Sequence, residues 1–133
     1  MTMEYGHKKM RVWQNADRLD ILVQRIIKKI PRREFRLIEQ IDGASGSVSA
    51  NFIEGYYSGS LAEYLRFIRY SKRSCAELQE HVRRVFRKAH INLDEHNEFD
   101  KLAGQTMYLL NRLTYALEAK QGKRPLKAGE KGH

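Results

Sequence analysis

The chain has 133 residues, 41% hydrophobic and 31% charged, with a formal net charge of +9. That length makes one domain with enough interior to fold without staples. Its single cysteine, Cys75, excludes an internal disulfide and is read as a small buried hydrophobe of a reducing, cytoplasmic compartment. No run approaches the roughly 18 apolar residues of a membrane span, and no apolar stretch follows the basic residues of 1–10, so neither a membrane helix nor a signal peptide is expected.

Residues 1–9 lack periodicity and are read as a loose N-terminal arm. Val12, Ala16, Leu19, Val23, Ile26 and Ile30 then alternate four- and three-residue steps, the seam of a bundle helix. Pro31 ends that helix and also suits the first position of the next, where its missing N–H costs nothing. The second helix is expected over residues 32–56, with Ile38, Ile41, Ala44 or Ser45, Val48 and Phe52 as its apolar stripe. Between them stand Gly43, Gly46 and several serines and alanines. Gly costs roughly 1 kcal/mol against Ala inside a helix, and Ser prefers caps. Such a composition predicts a helix crossed closely by its neighbours. Asn51 and Glu54, followed by Gly55, are read as a latch at the corner with the third helix, with Arg66, Arg69 or Lys72 as partners for Glu54.

Tyr57-Ser58-Gly59 makes the next break, and Ser60 with Glu63 forms a capping box. The third helix carries Leu61, Tyr64, Ile68, Ser71, Cys75, Leu78, Val82, Val85 and Ala89 at alternating three- and four-residue steps. Asn92 with Glu95 offers a second capping box, with Asp94 as a rival. The fourth helix carries Phe99, Leu102, Thr106, Leu109, Leu113 and Ala116, with Ala103, Leu110 and Leu117 broadening the stripe. Residues 122–133 are Gly, Lys, Pro and Glu without periodicity and are read as a basic disordered tail. Residues 10–121 thus predict an all-α, antiparallel up-down four-helix bundle.

Enzymatic signals are weak. Metal-holding bundles use Glu-x-x-His pairs on two helices, whereas the one such motif here, Glu4 to His7, lies in the arm. Asp94-Glu95-His96-Asn97-Glu98 is ligand-rich, but acids at a helix start are favoured by the macrodipole. His81 beside Glu77 and Glu80 reads as a surface salt bridge. Cys75 reads as a packed, inert thiol. No phosphate-binding glycine loop or nucleophile elbow occurs. No catalytic residue, metal site or cofactor is expected.

Basic residues give the stronger pattern. Arg11, Arg18, Arg25 and Arg32 recur every seven residues on the first helix, thickened by Lys28 and Lys29. On the third, Arg66, Arg69, Arg73, Arg84 and Arg87 follow helical steps, joined by Lys72, Arg83 and Lys88. Charge is segregated by helix, as an electrostatic footprint for nucleic acid requires; the structural alternative is a solvated face whose Arg stems cover the core rim. Tyr57 and Tyr70 are candidates for base stacking.

Several ordered motifs are specific when taken together: Val12-Trp13-Gln14-x-Ala16, Ile30-Pro31, Gln40, Ser47-Val48-x-x-Asn51-x-x-Glu54-Gly55, Glu63-Tyr64-x-x-Phe67 and Ser74-x-x-Glu77-Leu78. Over about residues 11–117 the chain resembles the bacterial four-helix-bundle proteins first noted in intervening sequences of large-subunit ribosomal RNA genes. That family is similar in shape to the accessory variability proteins of diversity-generating retroelements, which work with a reverse transcriptase and bind nucleic acid. The resemblance implies a single bundle, assembled as a ring-like homopentamer, and implies no known reaction. Asn51, Glu54 and Gly55 inherit the motif's prominence without an assigned role. The family often carries Arg shortly after Glu-Gly, where this chain has Tyr56-Tyr57-Ser58.

The reading that follows is a non-enzymatic, cytoplasmic homo-oligomer that binds nucleic acid, RNA rather than DNA. The contacting residues are Arg11, Arg18, Arg25, Arg66, Arg69, Lys72, Arg73, Arg84 and Arg87, and contacts to the phosphate backbone dominate. The alternative is an interaction scaffold that recruits an acidic protein partner, such as a reverse transcriptase or another nucleic-acid enzyme.

Overall fold

A computed structural model describes residues 6–122. Those residues form four long helices, α1 (Arg11–Ile27), α2 (Phe35–Tyr56), α3 (Leu61–Arg87) and α4 (Leu93–Lys120), with two short 3-10 turns and no strand. Helix α2 packs on α1 and α3, and α4 on α3 and α1, so α1 and α3 lie on a diagonal, as do α2 and α4. Contacts between neighbours pair a rising number with a falling one. Between α1 and α2, His7 meets Tyr57 and Asp20 meets Ser45. Between α3 and α4, Arg69 meets Glu118 and Phe86 meets His96. Between α1 and α4, Arg25 meets Glu98 and Lys29 meets Glu95. The ends of α1 and α3 and the starts of α2 and α4 therefore share one end of the bundle. No helix of the described residues is long and apolar enough to cross a membrane.

The α1 seam is buried as its spacing predicts, with Leu22 added. Ile30 also enters the core although α1 stops at Ile27. Residues 28–30 tighten into a turn in which the Lys29 and Ile30 N–H groups donate to the Ile26 and Ile27 carbonyls at 2.9 and 3.0 Å. The second helix starts later than residue 32. Pro31 is extended (ψ 141), and Arg32–Glu34 forms a 3-10 turn before α2 begins at Phe35. Ser60 and Asn92 cap α3 and α4; Asn92 and Glu95 complete the reciprocal box, while the Glu63 carboxylate turns instead to Arg66.

The closing of α3 has a cost that the periodicity hid. Ala89, placed on the apolar stripe by its spacing, is exposed with φ +64. It is the left-handed residue of a Schellman stop, in which the Ala89 N–H donates to the Phe86 carbonyl at 2.9 Å and the His90 N–H to the Val85 carbonyl at 3.1 Å. Glycine is the usual occupant there because it has no Cβ to clash.

On α4 the buried line is Phe99, Ala103, Thr106, Leu110, Thr114 and Leu117, with Tyr115. Leu102, Leu109 and Leu113 are only half-buried, and Ala116 is exposed. Two adjacent rows compete on this helix, and the inner one intersperses Phe99, Leu110 and Leu117 with the smaller Ala103, Thr106 and Thr114. Thr106 and Thr114 can enter the core because each hydroxyl donates to the carbonyl four residues back, at 2.8 Å. Likewise the buried Ser71 hydroxyl donates to the Val48 carbonyl at 2.7 Å, tying α3 to α2.

The close crossing expected at Gly43 and Gly46 lies elsewhere. Both are exposed, and a Cβ at either would meet nothing within 4 Å. The tight position is Gly55, where a Cβ would stand 3.0 Å from the Phe67 Cβ and 3.1 Å from the Tyr64 carbonyl oxygen. Helix α2 packs on α3 along its length, and of its three glycines Gly55 is the one at which the two backbones come too close for a side chain. The described part of the arm, residues 6–9, is also more ordered than its composition suggests. Gly6–Lys9 is a 3-10 turn in which the His7 N–H donates to the Tyr57 hydroxyl at 3.2 Å and the imidazole meets Trp13 edge-on. Glu4 of the arm and the expected basic tail from residue 123 lie outside the described residues.

Candidate nucleic-acid interface

Helices α1 and α3 stand diagonally across the bundle, so their arginines do not form one continuous face. The diagonal placement follows from the chain order of short connections: each helix meets the next, and the first meets the last. Arg11, Arg18 and Arg25 of α1 lie on its α4 side. Arg11 and Arg18 line the α1–α4 groove, with Arg18 donating to the Asn15 amide oxygen at 3.2 Å, and Arg25 stands 3.6 Å from Glu98.

The upper α3 cluster is largely engaged within the bundle surface. Arg66 is bonded to Glu63 at 2.6 Å and lies over Phe67 and Tyr70, with its guanidinium carbon 4.8 and 5.7 Å from their ring centroids. The Glu63 carboxylate and the Tyr70 hydroxyl hold the guanidinium pKa above its ordinary value. Arg73 covers Tyr70, Arg69 pairs with Glu118 at 3.3 Å, and Lys72 is half-buried. Tyr70 is thus already stacked by arginines, and Tyr57 accepts from His7.

The proposed latch at the α2–α3 corner is not formed. Glu54 is exposed, with no hydrogen bond or ion pair among the described residues, because Arg66 and Arg69 take other carboxylates. Asn51 donates to the Ser47 carbonyl of its own helix at 2.9 Å. Of the three motif residues, Gly55 has the structural role, set by the close approach of α3.

The lower end of the bundle gathers cations that no single stripe of the sequence displays. Arg33, Arg36, Arg84 and Lys88 line one concavity of about 560 Å³. Arg87 borders the same end beside Arg84 and Lys88. Among the described residues, Arg33, Arg36, Arg84 and Arg87 have no carboxylate within ion-pair distance. Glu34 is the acid of this concavity, and it is already held by Lys88 and His90. Those two partners, Lys88 first, pull its pKa below the ordinary 4.5. Phe35, 57% exposed, stands on the same rim. Arg33, Phe35 and Arg36 were absent from the sequence-derived site. The run Pro31-Arg32-Arg33-Glu34-Phe35-Arg36 carried the signal, but only the fold shows that it returns against the end of α3.

The ligand-rich start of α4 is accounted for by structure. Glu95 closes the cap and pairs with Lys29, Glu98 faces Arg25, and His96 stacks on Phe86 with centroids 4.6 Å apart. Glu80 is taken by Arg83 rather than by His81, and that pair lowers the Glu80 pKa. Cys75 is fully buried, and burial pushes its thiol up to about 11. Among the described residues, no three His, Cys, Asp or Glu side chains converge as a metal site.

Fold and charge distribution together define a small all-helical protein with one strongly cationic end. The model of the 23S rRNA-intervening sequence protein family matches residues 8–112, and the chain belongs to that family. No curated protein matches it.

Proposed function

We propose that the protein is a non-enzymatic RNA-binding bundle of the cytoplasm that acts as a homo-oligomer. The carrying observation is the set of guanidinium groups at Arg33, Arg36, Arg84 and Arg87 that have no carboxylate partner among the described residues, with the neighbouring acid already neutralised. Like charges held together repel one another. A phosphate backbone would relieve that repulsion and release its own counterions. The Phe35 ring, exposed with the Arg36 guanidinium carbon 6.0 Å from its centroid, suits stacking with an unpaired base whose phosphate the arginine takes, and the family name points to RNA over DNA.

Assembly has its own support. Residues 37–56 contain three acids and no Lys or Arg. The outward row of α2, with Gly43, Gly46 and Ala50, is free of bulk and bordered by Glu39, Asp42 and Glu54. Such a surface complements the basic faces of a second copy. A contact between unlike surfaces gives a ring where its rotation closes, and the family resemblance implies five subunits. Light scattering reads this directly: several chain masses are expected for the natural sequence and one mass for Gly46→Arg. A single mass for the natural sequence at high concentration would refute assembly.

The RNA reading is tested by mobility shift at low salt with RNA and DNA of one sequence. The natural chain is expected to bind RNA more tightly, and Arg33→Glu with Arg84→Glu to abolish the shift. Should neither nucleic acid bind, the same cations favour the second reading, a scaffold recruiting an acidic protein such as a nucleic-acid enzyme.

A further inference from the structure

Away from the cationic end, a groove of about 890 Å³ runs between α1 and α4. Four cations line it, Arg11 and Arg18 from α1 and Lys101 and Arg112 from α4, and none has a carboxylate partner among the described residues. Its lining acid, Asp100, stands 3.8 Å from His96. Gly104 leaves the α4 wall open, since a Cβ there would meet nothing within 4 Å. Tyr108 rises from the same wall with 52% of its surface exposed. Arg112 donates to the Tyr108 hydroxyl at 3.1 Å, with its guanidinium carbon 5.8 Å from the ring centroid.

This combination differs from an ordinary solvated helix face. An isolated pair of basic side chains would need no cavity, and an aromatic used for packing would be covered. Here a half-exposed ring borders a space that four cations share with one acid, Asp100, and the neutral Asn15 and Gln105. The size falls in the usual range of small-ligand sites. Tyr70 is half-buried under two arginines, Arg66 and Arg73, whereas Tyr108 is 52% exposed beside Arg112, a cation with no carboxylate partner among the described residues.

We infer that this groove is a site for unpaired nucleotides of single-stranded RNA, with a base stacked on Tyr108 and its phosphates held by Arg11, Arg18 and Arg112. The assignment rests on the RNA-binding reading and adds to it a second contact that selects single strands. A duplex keeps its bases stacked and offers none to the tyrosine, whereas the cationic end takes phosphates of either form.

The test uses the full chain and two fluorescein-labelled RNA probes, a ten-nucleotide single strand and its duplex. Tyr108→Ala is expected to weaken single-strand binding about 5- to 150-fold, the loss of one base stack. Tyr108→Phe keeps it, and duplex binding is unchanged in both. Gly104→Leu, which fills the groove, is expected to act like Tyr108→Ala. With 5-iodouridine in the single strand, photocrosslinking is expected at Tyr108. The inference is overturned if Tyr108→Ala and Gly104→Leu bind the single strand as the natural chain does. Loss of binding in Arg33→Glu with Arg84→Glu would then show that the RNA reading still stands. It is overturned also if the groove variants change the subunit number while leaving RNA binding intact, since the groove would then be an interface between copies. Absence of any RNA binding by the natural chain at low salt would sink both readings together.

Discussion

One glycine of α2 should respond to alanine in the opposite sense from a glycine of α4. At Gly55 the added methyl would stand 3.0 Å from the Phe67 Cβ, 3.1 Å from the Tyr64 ring and 3.1 Å from the Tyr64 carbonyl oxygen. Neither a Cβ nor a carbonyl can swing away; α3 itself must move. Overpacking of that kind costs roughly 1–3 kcal/mol. The gain in helix propensity from Gly to Ala offsets about 0.5–1 kcal/mol. Gly55→Ala should therefore destabilise by up to about 2.5 kcal/mol. At Gly104 the methyl meets nothing within 4 Å, so Gly104→Ala should stabilise by about 0.5–1 kcal/mol. Urea denaturation followed by circular dichroism measures both. For a domain of this size each kcal/mol moves Tm by roughly 3–5 °C, so the two variants should fall on opposite sides of the natural chain. Equal stabilisation by both would refute the close crossing of α2 and α3.

Other substitutions separate local effects. Ala89→Gly should stabilise by roughly 1 kcal/mol, because Ala89 holds φ +64 and a left-handed Cβ costs about that much; an unchanged urea midpoint would mean that the Schellman stop is absent. Glu54→Ala should stay within about 0.5 kcal/mol of the natural chain, as exposed positions do; a larger loss in the same assay would restore the corner latch. Glu34 has a folded-state pKa below its ordinary 4.5, through Lys88 and then His90. Its stabilising contribution is thus complete above about 4.5 and is lost as pH falls through the folded value. Thermal melts across pH 3–7 should show Glu34→Gln less stable at neutral pH, with the gap closing in acid; a gap independent of pH would contradict the pairing.

The fold was legible because burial follows spacing. Val12, Ala16, Leu19, Val23 and Ile26 on α1, and Ile68, Ser71, Cys75, Leu78, Val82 and Val85 on α3, are the buried residues that their three- and four-residue steps predict. Legibility failed where two rows competed or where the backbone left the helix. On α4 Phe99, Thr106 and the broadening row of Ala103, Leu110 and Leu117 are buried, whereas Leu102, Leu109 and Leu113 are only half-buried and Thr114, which the spacing did not mark, enters the core because its hydroxyl donates to its own helix. Ala89 continued the period in number but not in conformation. Gly43 and Gly46 signalled small volume without saying what approaches them, and of the three glycines of α2 only Gly55 is closely crossed. The candidate site was legible in kind and not in place. Charge on α1 and α3 was plain, but whether arginines cluster depends on which helices are neighbours. Arg33 and Arg36 gained importance only when the turn after Pro31 brought them to Arg84.

The salt dependence of RNA binding tests the central claim most directly. Filter binding of a single-stranded RNA from low to moderate salt, with the natural chain and with the joint Arg33→Ala, Arg36→Ala, Arg84→Ala and Arg87→Ala variant, reads the number of phosphates held. Each phosphate contact on a single strand contributes about −0.7 to the slope of log K against log salt. Four lost contacts should therefore flatten the slope by up to roughly 3 and weaken low-salt binding for every sequence, with the helical circular dichroism spectrum unchanged. An unchanged slope and affinity in that folded variant would show that the cationic end is not where this protein meets RNA.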